Sequence, residues 1–260
     1  ETVKKLVDEF DQLSNQICTV GLGIPGFSSK ESGLVTNANS MWLNDKPFKK
    51  DLEIALNRKV KLMNDANCFT LSEAVDGAGK DYQSIFGIIV GTGFGGALSY
   101  KKEIIEGANQ IAGDWGHQPL PYPTKEEIET KINCPSMNCG RPLCAEQFMS
   151  GIGFKDVFNQ KHKTSFTSEE IVKLDLNGDP RANSELSLYE DRMARLLAVM
   201  IGIFDPDAII LGGGMSNIDR FYVNIPTLIP KYTFSNKVKT KVLKNFHGDS
   251  SGVRGAAWLW

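Results

Sequence analysis

Ile85-Phe86-Gly87-Ile88-Ile89-Val90-Gly91-Thr92-Gly93-Phe94-Gly95-Gly96-Ala97-Leu98-Ser99-Tyr100 is the stretch on which the fold turns. Residues 85–90 are almost unbroken apolar sequence, the pattern of a strand buried on both faces. The turn that follows matches G-x-G-x-x-G at Gly91, Gly93 and Gly96, and Asp114 falls about twenty residues further on, as in a dinucleotide-binding fingerprint. That fingerprint needs a helix to start at the turn, so that its dipole meets the pyrophosphate. Here Ala97-Leu98-Ser99-Tyr100 continues as strand, so the spacing predicts a β-hairpin holding a threonine-bearing phosphate loop and not a nucleotide-binding βαβ unit.

Working outward, strands and helices alternate. Val3, Leu6, Val7, Phe10 and Leu13 mark a first helix, and residues 18–24 form a strand broken at Pro25-Gly26. Asn44 and Asp45 ahead of Pro47 read as a cap and first turn for a helix to about Asn57, followed by a strand over 60–63 and a helix from Asn67 to Ala78. From Glu103 to Ser150 periodicity fades into an irregular excursion of the kind that is usually functional. Thr167-Ser168-Glu169-Glu170 is a capping box, Leu186 to Phe204 mark one face of a long helix ending at Asp205-Pro206, and residues 208–211 are a strand running into Gly212-Gly213-Gly214. A helix from about Ser251 to Trp260 closes the chain. The pattern is α/β with a parallel or mixed sheet.

Composition narrows the function. The 260 residues carry 29 Lys and Arg against 31 Asp and Glu, a net charge of −2 spread along the chain, which excludes a dedicated nucleic-acid or membrane-surface binder. No apolar run reaches the roughly 18–20 residues that span a bilayer, and the first thirty residues lack signal-peptide character, so a cytoplasmic location is expected. Five cysteines, three of them at Cys134, Cys139 and Cys144, point to a metal or to reduced thiols instead of disulfides.

Three glycine turns follow apolar strands, at 21–26, 91–96 and 212–214; bare amides there can approach phosphate, or the glycines merely permit tight reversal. Asn64-Asp65-Ala66-Asn67 follows a strand end, where an open α/β sheet places working residues. Asp65 either removes a proton from an attacking alcohol or caps the next helix. His117 with Cys134, Cys139 and Cys144 offers one nitrogen and three sulfurs, the donor set of a structural zinc, although a lone histidine is more often a surface or core residue.

Gly23-Ile24-Pro25-Gly26, Asn64-Asp65-Ala66-Asn67, Gly91-Thr92-Gly93, Ala112 to His117, and Cys139-Gly140 with Cys144 and Glu146 together resemble the ROK family of sugar kinases, in order and spacing. Asn37 to Leu43 and His247 to Trp258 look like its bacterial fructokinase (manno-fructokinase) branch. The resemblance covers essentially the whole chain. It implies a two-lobed, actin-like (ribonuclease H-like) ATPase and sugar kinase fold, with residues 1–63 and 247–260 in one lobe and 64–246 in the other. It implies Asp65 as general base; Asn64, Asp114, His117 and Glu146 on sugar hydroxyls; Gly91, Thr92 and Gly93 at the transferring phosphate; and Gly212, Gly213 and Gly214 beside adenosine. ATP with Mg2+ and a structural Zn2+ on His117, Cys134, Cys139 and Cys144 are the implied cofactors, and homodimers are common in the family.

Three departures qualify the resemblance. The family begins with a strand, an Asp-x-Gly-x-Thr phosphate loop and a hairpin, whereas this sequence opens at Glu1 within a helix, so an upstream segment is expected. Met137 stands where the family's Cys-x-Cys-Gly-x-x-Gly-Cys-x-Glu pattern has its first cysteine, Leu143 replaces its second glycine, and Cys134 is expected to ligate through a longer loop. Asp114 stands where most members carry Glu. The expected reaction is phosphorylation of D-fructose at its 6-hydroxyl, with mannose as a second substrate. The alternatives are an N-acetylglucosamine or N-acetylmannosamine kinase and a sugar-responsive ROK transcriptional repressor.

Overall fold

In the computed structural model, which describes residues 1–38, 40–130, 132–135 and 139–260, the decisive hairpin forms as expected. Strands β5 (Ser84–Val90) and β6 (Phe94–Tyr100) pair antiparallel with Val90 opposite Phe94, so Gly91-Thr92-Gly93 is the hairpin turn and no helix starts there. β7 (Glu103–Ile105) extends the hairpin on one side. On the other, β8 (Ala208–Gly212) runs parallel to β5 and β9 (Lys241–Lys244) parallel to β8, giving the order β7-β6-β5-β8-β9.

Both faces of β5 are covered, which explains its continuous apolar run. Phe86, Ile88 and Val90 enter the large core, built with Phe148, Phe154 and the long helix α8 (Pro180–Phe204). Ile85 turns the opposite way, against Phe69 and Ala74 of α3 (Asp65–Val75). Gly87 is obligatory on that face, since a Cβ there would lie 2.1 Å from Thr70 Oγ1. The chemistry at its ends accounts for α8: Asp179 accepts from the amides of Arg181 and Ala182, Pro180 occupies the first turn, and Asp205 takes a left-handed φ of 49° just beyond.

A separate parallel pair, β1 (Val20–Ile24) and β4 (Val60–Asn64), sets Ile24 opposite Asn64, so Pro25-Gly26 and Asp65 leave the same edge. Between them lie the small hairpin of β2 (Phe27–Ser28) and β3 (Val35–Thr36) and helix α2 (Phe48–Leu56). Helix α1 (Thr2–Ser14) packs Val3 and Val7 against this unit, while Leu6, Phe10 and Leu13 remain exposed.

Helix α10 (Ser251–Ala257) lies against both β1 and α3 at glycine contact: a Cβ on Gly255 would stand 1.7 Å from the Cys68 carbonyl oxygen, and one on Gly21 1.9 Å from that of Ala256. Buried Glu73 locks this junction, accepting from Ser251 Oγ at 2.7 Å, from the Phe246 amide at 3.0 Å and from the Ala78 amide at 2.9 Å.

Several local expectations are corrected. Pro47 is itself the N-cap of α2, because Asn44 is engaged with the backbone of Ala38. Helix α3 begins at Asp65 instead of Asn67, since Asn64 caps it, and α10 stops at Ala257. The irregular stretch holds β7 and two short helices, α4 (Lys125–Ile128) and α5 (Ala145–Met149). Helices α6 (Gly151–His162), α7 (Ser168–Leu176) and α9 (Arg220–Leu228) complete the fold. Only α7 is marked by its sequence: α6 opens on Gly-Ile-Gly and α9 contains Pro226, and both features depress helix propensity. Among the described residues no helix is long and apolar enough to cross a membrane.

Candidate active site

Where the edge of the β1-β4 pair faces the β5-β6 turn, a cavity of about 430 Å³ opens, and Asn64, Asp65, Thr92, Gly93, Asp114, His117 and Glu146 all line it. Seven of the residues singled out from sequence are therefore brought together. Asn64 ends β4 and caps α3, its Oδ1 accepting from the amides of Ala66 (2.9 Å) and Asn67 (3.3 Å), and its Nδ2 donates to the Gly26 carbonyl at 3.2 Å. The capping role considered for Asp65 thus belongs to Asn64. Asp65 Oδ1 accepts from the Ala66 amide at 2.8 Å. Its carboxyl is reached by solvent through the cavity but crowded by protein elsewhere; that burial raises it above its ordinary 3.8, against the backbone amides of Ala66 and Asp65 and the Asn64 side chain, which pull it down. Water in the open cavity moderates the shift. A carboxylate raised in this way suits a general base.

Asp114 and His117 sit on a loop that presses directly on β6. Gly113 adopts φ +87°, and a Cβ on Gly116 would lie 1.8 Å from the Phe94 carbonyl oxygen, so only glycine permits this approach. Asp114 is exposed within the cavity, and its carboxylate makes no hydrogen bond or ion pair among the described residues. The Gly116 carbonyl accepts from the Glu146 amide at 2.8 Å, tying the loop to the start of α5. Glu146 Oε2 in turn accepts from the Phe94 amide at 3.1 Å, so this carboxylate joins the start of β6 to the cysteine loop.

His117 Nδ1 lies 3.4 Å from Cys144 Sγ and 4.0 Å from Cys134 Sγ, and the sulfurs of Cys139 and Cys144 are 3.5 Å apart. All four donor atoms fall within 4.8 Å of one another. Zinc bonds of about 2.3 Å in a tetrahedron place donors roughly 3.8 Å apart, so three thiols and an imidazole at these spacings fit that metal. Cys134 does reach the cluster through the longer loop. Leu143 stands at φ 53°, the left-handed region where the family pattern has glycine; the conformation costs about 1–2 kcal/mol for an L-residue and is offset by packing against the large core. Met137, and Asn39 of the fructokinase-like stretch, lie outside the described residues.

The third glycine turn does not line the cavity. Because β8 is parallel to β5, Gly212 pairs with Ile89, and a Cβ on Gly213 would meet the Val90 carbonyl oxygen at 2.6 Å. The 212–214 turn therefore adjoins Gly91 behind the hairpin turn, and Gly91 is likewise not part of the lining. Among the described residues of the fructokinase-like stretches, only Asn37 reaches the cavity; Trp42 is 73% exposed, and residues 247–258 form the α3–α10 junction. Gln110, which the sequence did not single out, and Asn37, which it marked only by family likeness and gave no site role, are cavity residues at φ 58° and 56°. Both sit in aperiodic loops, where only an unusual backbone angle, invisible in sequence, marks them.

A comparison with protein families matches residues 1–260 to the ROK family. The N-acetyl-D-glucosamine kinase of Vibrio cholerae is 37% identical over 259 residues, covering 100% of this chain and 86% of that protein. The ROK hexokinase of Thermus thermophilus superposes with a TM-score of 0.83 at 23% identity, over 98% of this chain and 83% of its own. A ROK family transcriptional regulator, a homologue of the E. coli MLC protein, superposes at 0.78 with 19% identity, over 98% of this chain and 66% of its own. These likenesses give the architecture as the actin-like ATPase fold. With its family pattern running from Glu1 to Trp260 and its cavity residues in the family's order, the chain belongs to the ROK family.

Proposed function

We propose that this protein is an ATP-dependent hexose kinase, and that its sugar is N-acetylglucosamine or a closely related amino sugar. The observation that carries the chemistry is Asp65, at the mouth of β4, sharing one cavity with Thr92 and Gly93 of the hairpin turn. The amino-sugar assignment draws on the Vibrio cholerae relative. We prefer it to fructose because, among the described residues, the stretches that suggested fructose touch the cavity only at Asn37.

In this reading Asp65 accepts the proton of the sugar's 6-hydroxyl as its oxygen attacks the γ-phosphorus, and ADP leaves. Asn64, Asp114, His117 and Glu146 hold the remaining hydroxyls. Amides of Gly91, Thr92 and Gly93 face the transferring phosphoryl oxygens, Gly212 to Gly214 lie beside adenosine, and Mg2+ enters with ATP. Zinc would be held by His117 Nδ1 and the three cysteines, leaving Nε2 on the cavity side of the ring; the metal's contribution is to fix that tautomer and orientation. We take the two lobes to be 1–63 with 247–260, and 64–246, so that the cavity lies at their junction.

The test is ADP release by the intact protein with Mg-ATP over N-acetylglucosamine, N-acetylmannosamine, fructose, mannose and glucose, with Asp65→Asn as control. Release led by N-acetylglucosamine and absent in the control is expected. Release led by fructose would restore the fructokinase reading, and silence with every sugar would favour a sugar-responsive regulator.

A further inference from the structure

Gln110 spans the cavity rim. Its Oε1 accepts from the Lys30 amide at 3.1 Å and its Nε2 donates to the Ser28 carbonyl at 3.3 Å, across a separation of some eighty residues in sequence. Beside it Lys30 Nζ lies 2.5 Å from Glu106 Oε2. The ion pair is largely exposed and contributes little, so the primary amide, which is donor and acceptor at once, is the principal tie. Each anchor belongs to a segment that lines the cavity. Ser28 and Lys30 belong to the β2-β3 hairpin, whose Phe27 lines one wall with Asn37, and Gln110 precedes Ile111, Ala112 and Asp114 on another. Apart from this amide and the Lys30–Glu106 ion pair, no side-chain hydrogen bond among the described residues joins the 27–36 hairpin to the 106–113 loop.

We infer that Gln110 is a positioning residue: its side-chain amide clasps the β2-β3 hairpin to the Asp114 loop and thereby fixes the width of the sugar cavity. The activity part of this inference rests on the kinase reading above; the clasp itself does not. The clasp holds two walls and makes no hydrogen bond to Asp65, Thr92 or Gly93, so it acts on binding and not on proton transfer.

The test uses the intact protein with Gln110→Ala and Gln110→Asn. Asparagine tolerates the left-handed backbone but is one methylene too short, which separates the side chain from the φ angle. In hydrogen exchange, which needs no activity, both variants are expected to speed the Lys30 amide and the segments 27–36 and 106–113 together by about tenfold, the size of one or two neutral hydrogen bonds, with β5 and β8 unchanged. In steady state the sugar KM should rise about tenfold with kcat within about twofold of wild type, since wall placement is lost equally from ground and transition states. Exchange unchanged, or faster only in 106–113, would overturn the clasp, as would Gln110→Asn behaving like wild type. A wild-type protein that turns over no sugar would fail the kinase reading, while the exchange result would still decide the clasp.

Discussion

Replacing Gly116 with alanine puts the loop-on-strand geometry to a quantitative test. The added Cβ would lie 1.8 Å from the Phe94 carbonyl oxygen, and real Cβ contacts essentially never fall below 3.0 Å, so loop and strand must part by about 1.2 Å. Phe94 is held opposite Val90 of β5 and through its amide to Glu146, whereas 107–117 is loop, so the loop yields. The movement breaks the 2.8 Å bond from the Glu146 amide to the Gly116 carbonyl and displaces Asp114 and His117 from their places beside the three cysteines. A misplacement of about one ångström costs on the order of 100-fold in a positioned site, and the strain itself about 1–3 kcal/mol. The assay is sugar-dependent ADP release with zinc content and melting temperature on the same preparation. A folded Gly116→Ala protein with wild-type kcat/KM and unchanged zinc would show that this loop does not place the reacting groups.

Asp65→Asn should abolish turnover while leaving sugar binding measurable by calorimetry, and the acid limb of wild-type kcat/KM should lie above the ordinary aspartate value of 3.8. The stability sign follows: a carboxyl raised in the folded state favours folding only below its unfolded pKa and loses that contribution as pH climbs through the folded one, so the asparagine variant should melt above wild type at pH 7 and converge with it in acid. Metal analysis should find one zinc per chain, reduced by Cys139→Ser; a metal-free chain with full activity and unchanged melting would sink the assignment. Glu127 of α4 receives Arg192 at 2.8 Å and Arg195 at 2.7 Å, all three nearly inaccessible, so Glu127→Ala should cost about 3–5 kcal/mol in denaturant titration by leaving two buried guanidiniums short of a partner. Burial alone would raise the Glu127 carboxyl, but Arg195, the Thr124 amide and Arg192 hold it below its ordinary 4.5, so this support is present at neutral pH and fades as acid approaches the lowered value.

What sequence made legible was whatever burial or backbone chemistry writes in a repeating pattern. Two-sided burial makes residues 85–90 continuously apolar, and the glycines after them are compatible with a hairpin once strand resumes at Ala97. The Asn64-Asp65 pair was legible as chemistry, although which of the two caps α3 was settled only by the geometry. Helix α6 was hidden because tertiary packing of Phe154, Val157 and Phe158 overrides a glycine-rich start. Gln110 on the cavity wall was hidden, and Asn37 was visible only as family likeness, because loop residues at an unusual φ leave no period. The fructokinase-like flanks bear little on the choice of sugar for a physical reason: likeness at the α3–α10 junction concerns packing, and among the described residues of those stretches only Asn37 borders the cavity.

The glycine-tight seat of α10 on α3 also has a consequence in time. Helix α3 presents Asp65 at its first turn, and its buried Glu73 finds its partner Ser251 across 178 residues of chain. At about 5–20 residues per second of synthesis, α3 waits roughly 9–36 s on the ribosome before the helix that seats it is made. Through that interval the nascent chain carries a carboxylate meant for burial and an open groove at Cys68 and Gly21. Asp65, on the first turn of α3, shares that wait until translation has passed residue 251.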